Sequence, residues 1–233
     1  MSNNKKKKPM PKGNSRVKAR ELAEAKAKFQ KRALTVCISA LLIIATLISV
    51  LVLTSKKHKG HYYVEMTVED YGTVILELDC DAAPKTVKNF VKLVRRGFYD
   101  GLTFHRVMSG FMIQGGDPEG TGAGGSKKKI VGEFSANGRY NPIKHERGVI
   151  SMARSNDMNS ASSQFFICNA TNSSVSSLDG SYAAFGRVIS GMDVVDAITQ
   201  NTAPYGNSNG VISNTSVRAV ISEMKLISYK DAQ

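Results

Sequence analysis

The chain has 233 residues, 42% of them hydrophobic and 22% charged, which suits one domain of ordinary size with an appendage. Its formal net charge of +13 suggests nucleic acid until the charge is located: residues 1–60 hold 15 Lys+Arg against 2 acidic residues, and residues 61–233 hold 17 against 17. A neutral folded region excludes the basic footprint of a nucleic-acid binder, and three widely separated cysteines, Cys37, Cys80 and Cys168, give no disulfide framework.

Residues 1–32 form a basic segment, helix-capable over Arg16–Arg32 (RVKARELAEAKAKFQKR). It is suited either to anionic lipid headgroups or simply to setting topology. Residues 33–53, ALTVCISALLIIATLISVLVL, carry no charge over 21 positions. At helical rise that covers about 30 Å, the thickness of a bilayer's hydrocarbon core, so a transmembrane helix is expected over 33–54. No A-x-A cleavage pattern follows Leu53, and Cys37 lies too near the start of the run, after Val36, for lipid attachment. Twelve Lys+Arg precede the run and three follow it, which predicts a cytoplasmic N-terminus and an outward-facing domain in a cell membrane. Residues 55–61 read as a short basic linker, and residues 62–230 as the main domain.

From Tyr62 the pattern has period two: Val64, Met66 and Val68 alternate with polar neighbours, Asp70-Tyr71-Gly72 makes a turn, and Thr73–Leu78 completes a hairpin. Pro84 stands where a first helical turn accepts it, Val87, Phe90, Val91 and Val94 recur at helical spacing, and Gly97 ends the pattern. Short apolar pieces follow at Leu102–Val107, Gly148–Ala153, Gln164–Cys168, Ala183–Val188 and Val217–Ile227, with a second helical pattern over Met192–Thr199. Many short strands and two helices predict an all-β fold, an antiparallel barrel whose open ends the helices cover.

The stretch FHRVMSGFMIQGGDPEGTGAGG, Phe104–Gly125, holds seven glycines in 22 residues. That density calls for sharp turns and room for another chain to approach. Arg106, Phe111, Met112 and Gln114 would line the approach, a grouping suited to gripping a proline. No Gly-Lys-Ser/Thr follows the glycines, so a phosphate loop is not expected. The four histidines lack metal-ligand spacing.

This block, with SMARSNDMNSASSQFFICNA (Ser151–Ala170) and SLDGSYAAFGRV (Ser177–Val188), resembles the signature blocks of the cyclophilin family of peptidyl-prolyl cis-trans isomerases, in a bacterial-like form. The resemblance covers nearly all of Tyr62–Tyr229. It implies an eight-stranded antiparallel barrel capped by two helices and catalysis with no cofactor and no metal. By similarity to the family, Arg106 donates hydrogen bonds to the prolyl amide, with Phe111 and Gln114 completing the catalytic set. Met112, Phe166 and Leu178 line the proline pocket with Phe111. Gln164 orients Arg106 together with Gln114, while Ala153 and Arg154 form the edge that pairs with the peptide. Tyr182 stands where His is common in the family, Arg154 where Asn is common, and Ser177 where Trp is common. His105 invites a general-base role, but amide rotation transfers no proton, so local hydrogen bonding is expected of it.

The function implied is isomerisation of X-Pro bonds in unfolded or newly exported polypeptides near the membrane, by a monomer held through lipid contact of its N-terminal helix. The alternative is a membrane-anchored proline-peptide binding or chaperone module whose catalysis is incidental.

Overall fold

The structure is a computed structural model that describes residues 20–24, 26, 28–35, 39 and 60–232. The chain divides into two compact units, Met1–Lys56 and Lys57–Gln233. In the first, the described residues are helical and exposed, and Thr35 Oγ1 donates to the Lys31 carbonyl at 2.9 Å. Among the described residues no helix is long and apolar enough to cross a membrane. The apolar run over 33–54 lies mostly outside them.

The second unit is one eight-stranded antiparallel sheet. Its strands are β1 (His61–Val68), β2 (Gly72–Asp79), β3 (Arg106–Met108), β4 (Met112–Gly115), β5 (Val149–Met152), β6 (Phe165–Cys168), β7 (Ala184–Ser190) and β8 (Ile221–Ile227). They run in the order β3-β4-β6-β5-β7-β2-β1-β8. The sheet curls until its two ends meet: Phe104 N–H donates to the Ala219 carbonyl at 3.0 Å and Ile221 N–H to the Leu102 carbonyl at 2.8 Å. The helices are α1 (Pro84–Val94), the single turn α2 (Ser173–Ser176) and α3 (Met192–Thr202).

The predicted hairpin is β1–β2, paired from His61↔Asp79 to Val68↔Gly72, with Asp70 at φ 63° in its turn. Alternation sends Val64, Met66, Val68, Val74, Leu76 and Leu78 into the core, as the pleat demands. α1 buries Val87, Phe90, Val91 and Val94. Phe90 packs against Tyr99 at 4.9 Å, Phe185 at 5.1 Å and Phe165 at 5.6 Å, so the helix plugs the sheet's interior with an aromatic cluster.

Two expectations need correction. Leu102–Val107 is not one strand; Thr103 makes an isolated bridge to Val220, and β3 begins only at Arg106. Within the glycine-dense stretch, Met112–Gly115 is a full strand, paired with β3 on one side and β6 on the other. Gly115 suits it because a Cβ there would press on Phe104 and the Thr103 carbonyl at 3.1 to 3.2 Å.

Candidate active site

Strands β3, β4, β6 and β5 build the site through one register. Arg106 pairs with Gln114, Gln114 with Phe166, and Phe166 with Ser151, so these four side chains stand in a row on one face of the sheet. One pairing along, Met108, Met112 and Cys168 form a second row on that face. The intervening residues Val107, Ile113, Ile167 and Phe165 point the other way, into the main core. The outer rows seed a separate apolar cluster of Met112, Phe166, Cys168, Val175 and Leu178, with Phe111 and Tyr182 packed against it.

A cavity of about 370 Å³ opens on this cluster, lined by Arg106, Phe111, Met112, Gln114, Ala153, Arg154, Phe166, Leu178 and Tyr182. Gln164 is the one sequence-derived candidate outside this lining. It lies behind Gln114, on an adjoining cavity of about 450 Å³ that shares Gln114, Ala153 and Arg154 with the first.

Arg106 is held from three sides. Its Nε donates to the Asn209 carbonyl at 2.8 Å, Nη1 to Gln114 Oε1 at 3.2 Å and Nη2 to Met108 Sδ at 3.1 Å, with the guanidinium carbon 6.0 Å from the Phe111 ring centre. A guanidinium carries five N–H groups, so one N–H on each of Nη1 and Nη2 stays uncommitted. Burial lowers its pKa below the ordinary guanidinium value, opposed by nearby Tyr182.

The amides form a relay with one consistent polarity. Gln114 Nε2 donates to Gln164 Oε1 at 2.9 Å, and Gln164 Nε2 donates to the carbonyls of Gly122 at 3.0 Å and Gly124 at 2.7 Å. Those carbonyls fix which end of each amide is oxygen, so Gln114 presents its acceptor to Arg106. The glycine loop is anchored in turn by Asp117, whose carboxylate accepts N–H groups from Glu119, Thr121, Gly122 and Gly124 at 2.6 to 3.3 Å. Burial pushes the Asp117 pKa up, but these N–H donors and nearby His105 leave it below the ordinary carboxylate value. Side chains are kept off Gly124 because a Cβ there would collide with Asp117.

Arg154 does not offer a free charge to the cavity. Its Nε donates to the Ser181 carbonyl at 3.0 Å and its Nη1 to the Ser155 carbonyl at 2.9 Å. Its guanidinium carbon sits 4.7 Å from the Tyr182 ring centre and 5.3 Å from that of Phe134. Tyr182 meets Phe166 edge-on at 5.8 Å, so Arg154, Tyr182 and Phe166 form a wall braced in series.

Sequence reasoning missed what stands behind Phe166. His145, 3% exposed, stacks on that ring at 6.1 Å and 18°. Its Nδ1 meets Asp179 Oδ1 and its Nε2 meets Ser151 Oγ, both at 3.0 Å. Burial lowers the His145 pKa more than Asp179 raises it. The pairing of strand-borne Ser151 with a histidine six residues earlier leaves no periodic trace. The Asn209 carbonyl under Arg106 was missed too, being backbone and 103 residues away. His105 departs from expectation: it is buried, and neither ring nitrogen has a hydrogen-bond partner among the described residues.

A half-buried guanidinium thus stands at the mouth of an apolar hollow on a curled antiparallel sheet. Residues 63–222 match the sequence model of the cyclophilin type peptidyl-prolyl cis-trans isomerases. A peptidyl-prolyl cis-trans isomerase of Helicobacter pylori is 45% identical over 131 residues, 55% of this chain and 76% of that protein. Peptidyl-prolyl cis-trans isomerase A of Dickeya dadantii is 44% identical over 142 residues, 58% of this chain and 73% of that protein. Among solved structures, a Cryptosporidium parvum cyclophilin type isomerase crystallised in the presence of the dipeptide Ala-Pro superposes with a TM-score of 0.61 at 30% identity, covering 71% of this chain and 99% of that one. The chain belongs to the cyclophilin family and is accordingly a peptidyl-prolyl cis-trans isomerase. Among the described residues the hydrophobic core is drawn entirely from residues after Gly60, so this unit has a core of its own, and the match covers 99% of the Cryptosporidium chain.

Proposed function

We propose that the chain isomerises X-Pro bonds in unfolded or newly exported polypeptides at the outer face of a membrane, to which its apolar segment 33–53 tethers it. A planar amide resists rotation by about 18 to 20 kcal/mol because the nitrogen lone pair is delocalised, and X-Pro bonds isomerise unaided in tens to hundreds of seconds. In the twisted amide that lone pair returns to nitrogen, which then accepts a hydrogen bond. A donor fixed at that spot favours the twisted amide over the planar one.

Arg106 supplies the donor through its uncommitted N–H groups, and Gln114, oriented by Gln164, keeps the guanidinium in place. Phe111, Met112, Phe166 and Leu178 receive the proline ring, which offers no donor of its own, and Tyr182 closes one side. The backbone at Ala153 and Arg154 pairs with the extended peptide in the manner of strand addition. The Cryptosporidium relative was crystallised in the presence of the dipeptide Ala-Pro, which contains one X-Pro bond. No proton or electron is transferred, so rotation calls for no cofactor.

The observation that carries the catalytic assignment is the guanidinium with free N–H groups at the rim of the 370 Å³ apolar cavity. Isomerisation of a proline peptide by the detergent-solubilised full chain, compared with Arg106→Ala, tests it; equal rates would end it. The membrane reading is supported by the 21 uncharged residues and by the asymmetry of 12 Lys+Arg before the run against 3 after it. Protease added to intact cells should remove the domain, whereas protection until lysis would reverse the orientation.

A further inference from the structure

We propose that the exposed face of α1 is a docking surface for an anionic phospholipid bilayer, which holds the domain against the membrane to which segment 33–53 tethers it; this rests on the membrane reading above. While α1 turns Val87, Phe90, Val91 and Val94 inward, it presents Lys85, Lys88 and Lys92 to solvent, and the row continues past its end into exposed Arg95 and Arg96. A groove of about 360 Å³ runs along this face, with Tyr62, Pro84 and Val91 on its apolar side and Lys88, Lys92, Arg95 and Arg96 as its cations. No carboxylate lines it. Among the described residues, none of the ion pairs involves these four cations. In the acidic turn that precedes α1, Asp79 Oδ1 is already occupied by the N–H groups of Asp81 and Ala82.

The helix dipole accounts for part of the row only. Cations in a last turn are stabilising, which covers Lys92, Arg95 and Arg96. Lys85 and Lys88 stand at the opposite end, where the dipole disfavours them; the first turn itself has no acidic residue, and the one carboxylate that meets this end, Glu133, is buried and committed to the N–H groups of Lys85 and Thr86. Lys88, Lys92 and Arg96 are also spaced four apart, where like charges repel. Five cations on one helix face, none in an ion pair among the described residues, in a domain with balanced charge form a surface organised for an anion outside the fold.

The chain's path says which anion. Gly60, immediately before β1, accepts from the Cys80 N–H at 3.1 Å, and Cys80 and Tyr62 line the groove, so the tether enters the domain at the groove itself. Residues 54–60 extend to about 25 Å at most, and Lys56, Lys57 and Lys59 add charge of the same sign. A bilayer at the end of that tether places lipid phosphates within reach of α1. The groove is lined by β1, Cys80 and α1 with the two arginines after it, whereas the proline cavity is lined from β3, β4, β6 and the segments after β5 and α2, and no residue lines both, so docking leaves the active site open.

The test uses residues 60–233, sedimented with phosphatidylcholine vesicles lacking or containing phosphatidylglycerol. Because this fragment has no apolar segment, its outcome is independent of whether residues 33–53 span a bilayer. Binding should require phosphatidylglycerol, weaken with salt, and fall by roughly fivefold per charge removed, or about a hundredfold for Lys88→Gln, Lys92→Gln and Arg96→Gln combined. The combined Lys127→Gln, Lys128→Gln and Lys129→Gln change removes equal charge from an exposed loop and should keep most of the binding. Isomerase activity of the α1 variant on a soluble peptide should be unchanged, which certifies its fold. Equal losses in the two variants, binding to phosphatidylcholine alone, or abolition of binding by millimolar inorganic phosphate would each overturn the proposal.

Discussion

Arg106 shows how much a single side chain's neighbours decide. Three of its N–H groups are spent on Asn209, Gln114 and Met108, which fixes the direction of the two that remain. Replacing it with Ala should lower kcat/KM by about a hundredfold to a thousandfold, the scale for removing one preorganised donor. Arg106→Lys should restore little of this, since an ammonium lacks the planar fork that serves several acceptors at once. Gln164 does not line the proline cavity but holds Gln114, which does, and Gln164→Ala should cost between about tenfold and a hundredfold in kcat by freeing Gln114 to turn its amide. An unchanged kcat measured on a proline peptide would refute that relay. At the same scale, both thiols of the domain are free and buried, and burial pushes Cys168 up to about 12. Cys80 and Cys168 should therefore resist alkylation at mildly alkaline pH until denaturant is added; native labelling of Cys168 by mass spectrometry would contradict this.

At the scale of elements, α1 has an ordinary sequence signature and an unexpected cap. Ala83 offers no side-chain oxygen, and the open N–H groups of Lys85 and Thr86 are met instead by Glu133, at 2.8 to 3.1 Å, which also accepts from Thr86 Oγ1. Glu133 is 4% exposed, so its removal leaves buried donors unpaired. Glu133→Ala should cost about 1 to 3 kcal/mol, read as a shift in the denaturant midpoint; a shift within error would mean that solvent replaces the carboxylate. Gly116 is a similar joint. At φ +83°, with a Cβ position 2.5 Å from the Ser163 carbonyl, it turns the chain out of β4. The glycine density announced such joints without saying which glycine served a turn and which, like Gly115, sat in a strand.

For the whole molecule, protonation couples the site to stability. Burial lowers the pKa of His145 and of His105 from the ordinary 6.5. Above that value both states of the protein are neutral at these rings. As pH falls through it, the unfolded chain takes up protons that the fold refuses, so stability must decline. Asp117 and Asp179 lie below the ordinary 3.8 and add their own loss only in more acid solution. The melting temperature of the domain should therefore fall between pH ~7 and ~5, before the carboxylates titrate. A flat profile over that interval would show the rings to be hydrated. The same histidine stacks on Phe166, so His145→Phe should flatten part of the profile while leaving the ring supported.

The local part of this protein was written in its sequence. The β1–β2 hairpin, α1 and α3 follow from periodicity and turn chemistry, because neighbours along the chain carry those signals. The three motif blocks named the family and nine of the residues around one cavity, because the resemblance carries those positions as a set, Arg154 and Tyr182 included although their types depart from the family's common ones. Tertiary structure alone decided what depends on contacts across the chain: that Met112–Gly115 is a strand, that Asn209 seats Arg106, that Glu133 caps α1 from 48 residues away, that His145 backs Phe166 and that Arg154 lies against Tyr182. Such pairings join residues with no fixed spacing, and the strand order β3-β4-β6-β5-β7-β2-β1-β8 that creates them is settled only when the sheet closes on its core.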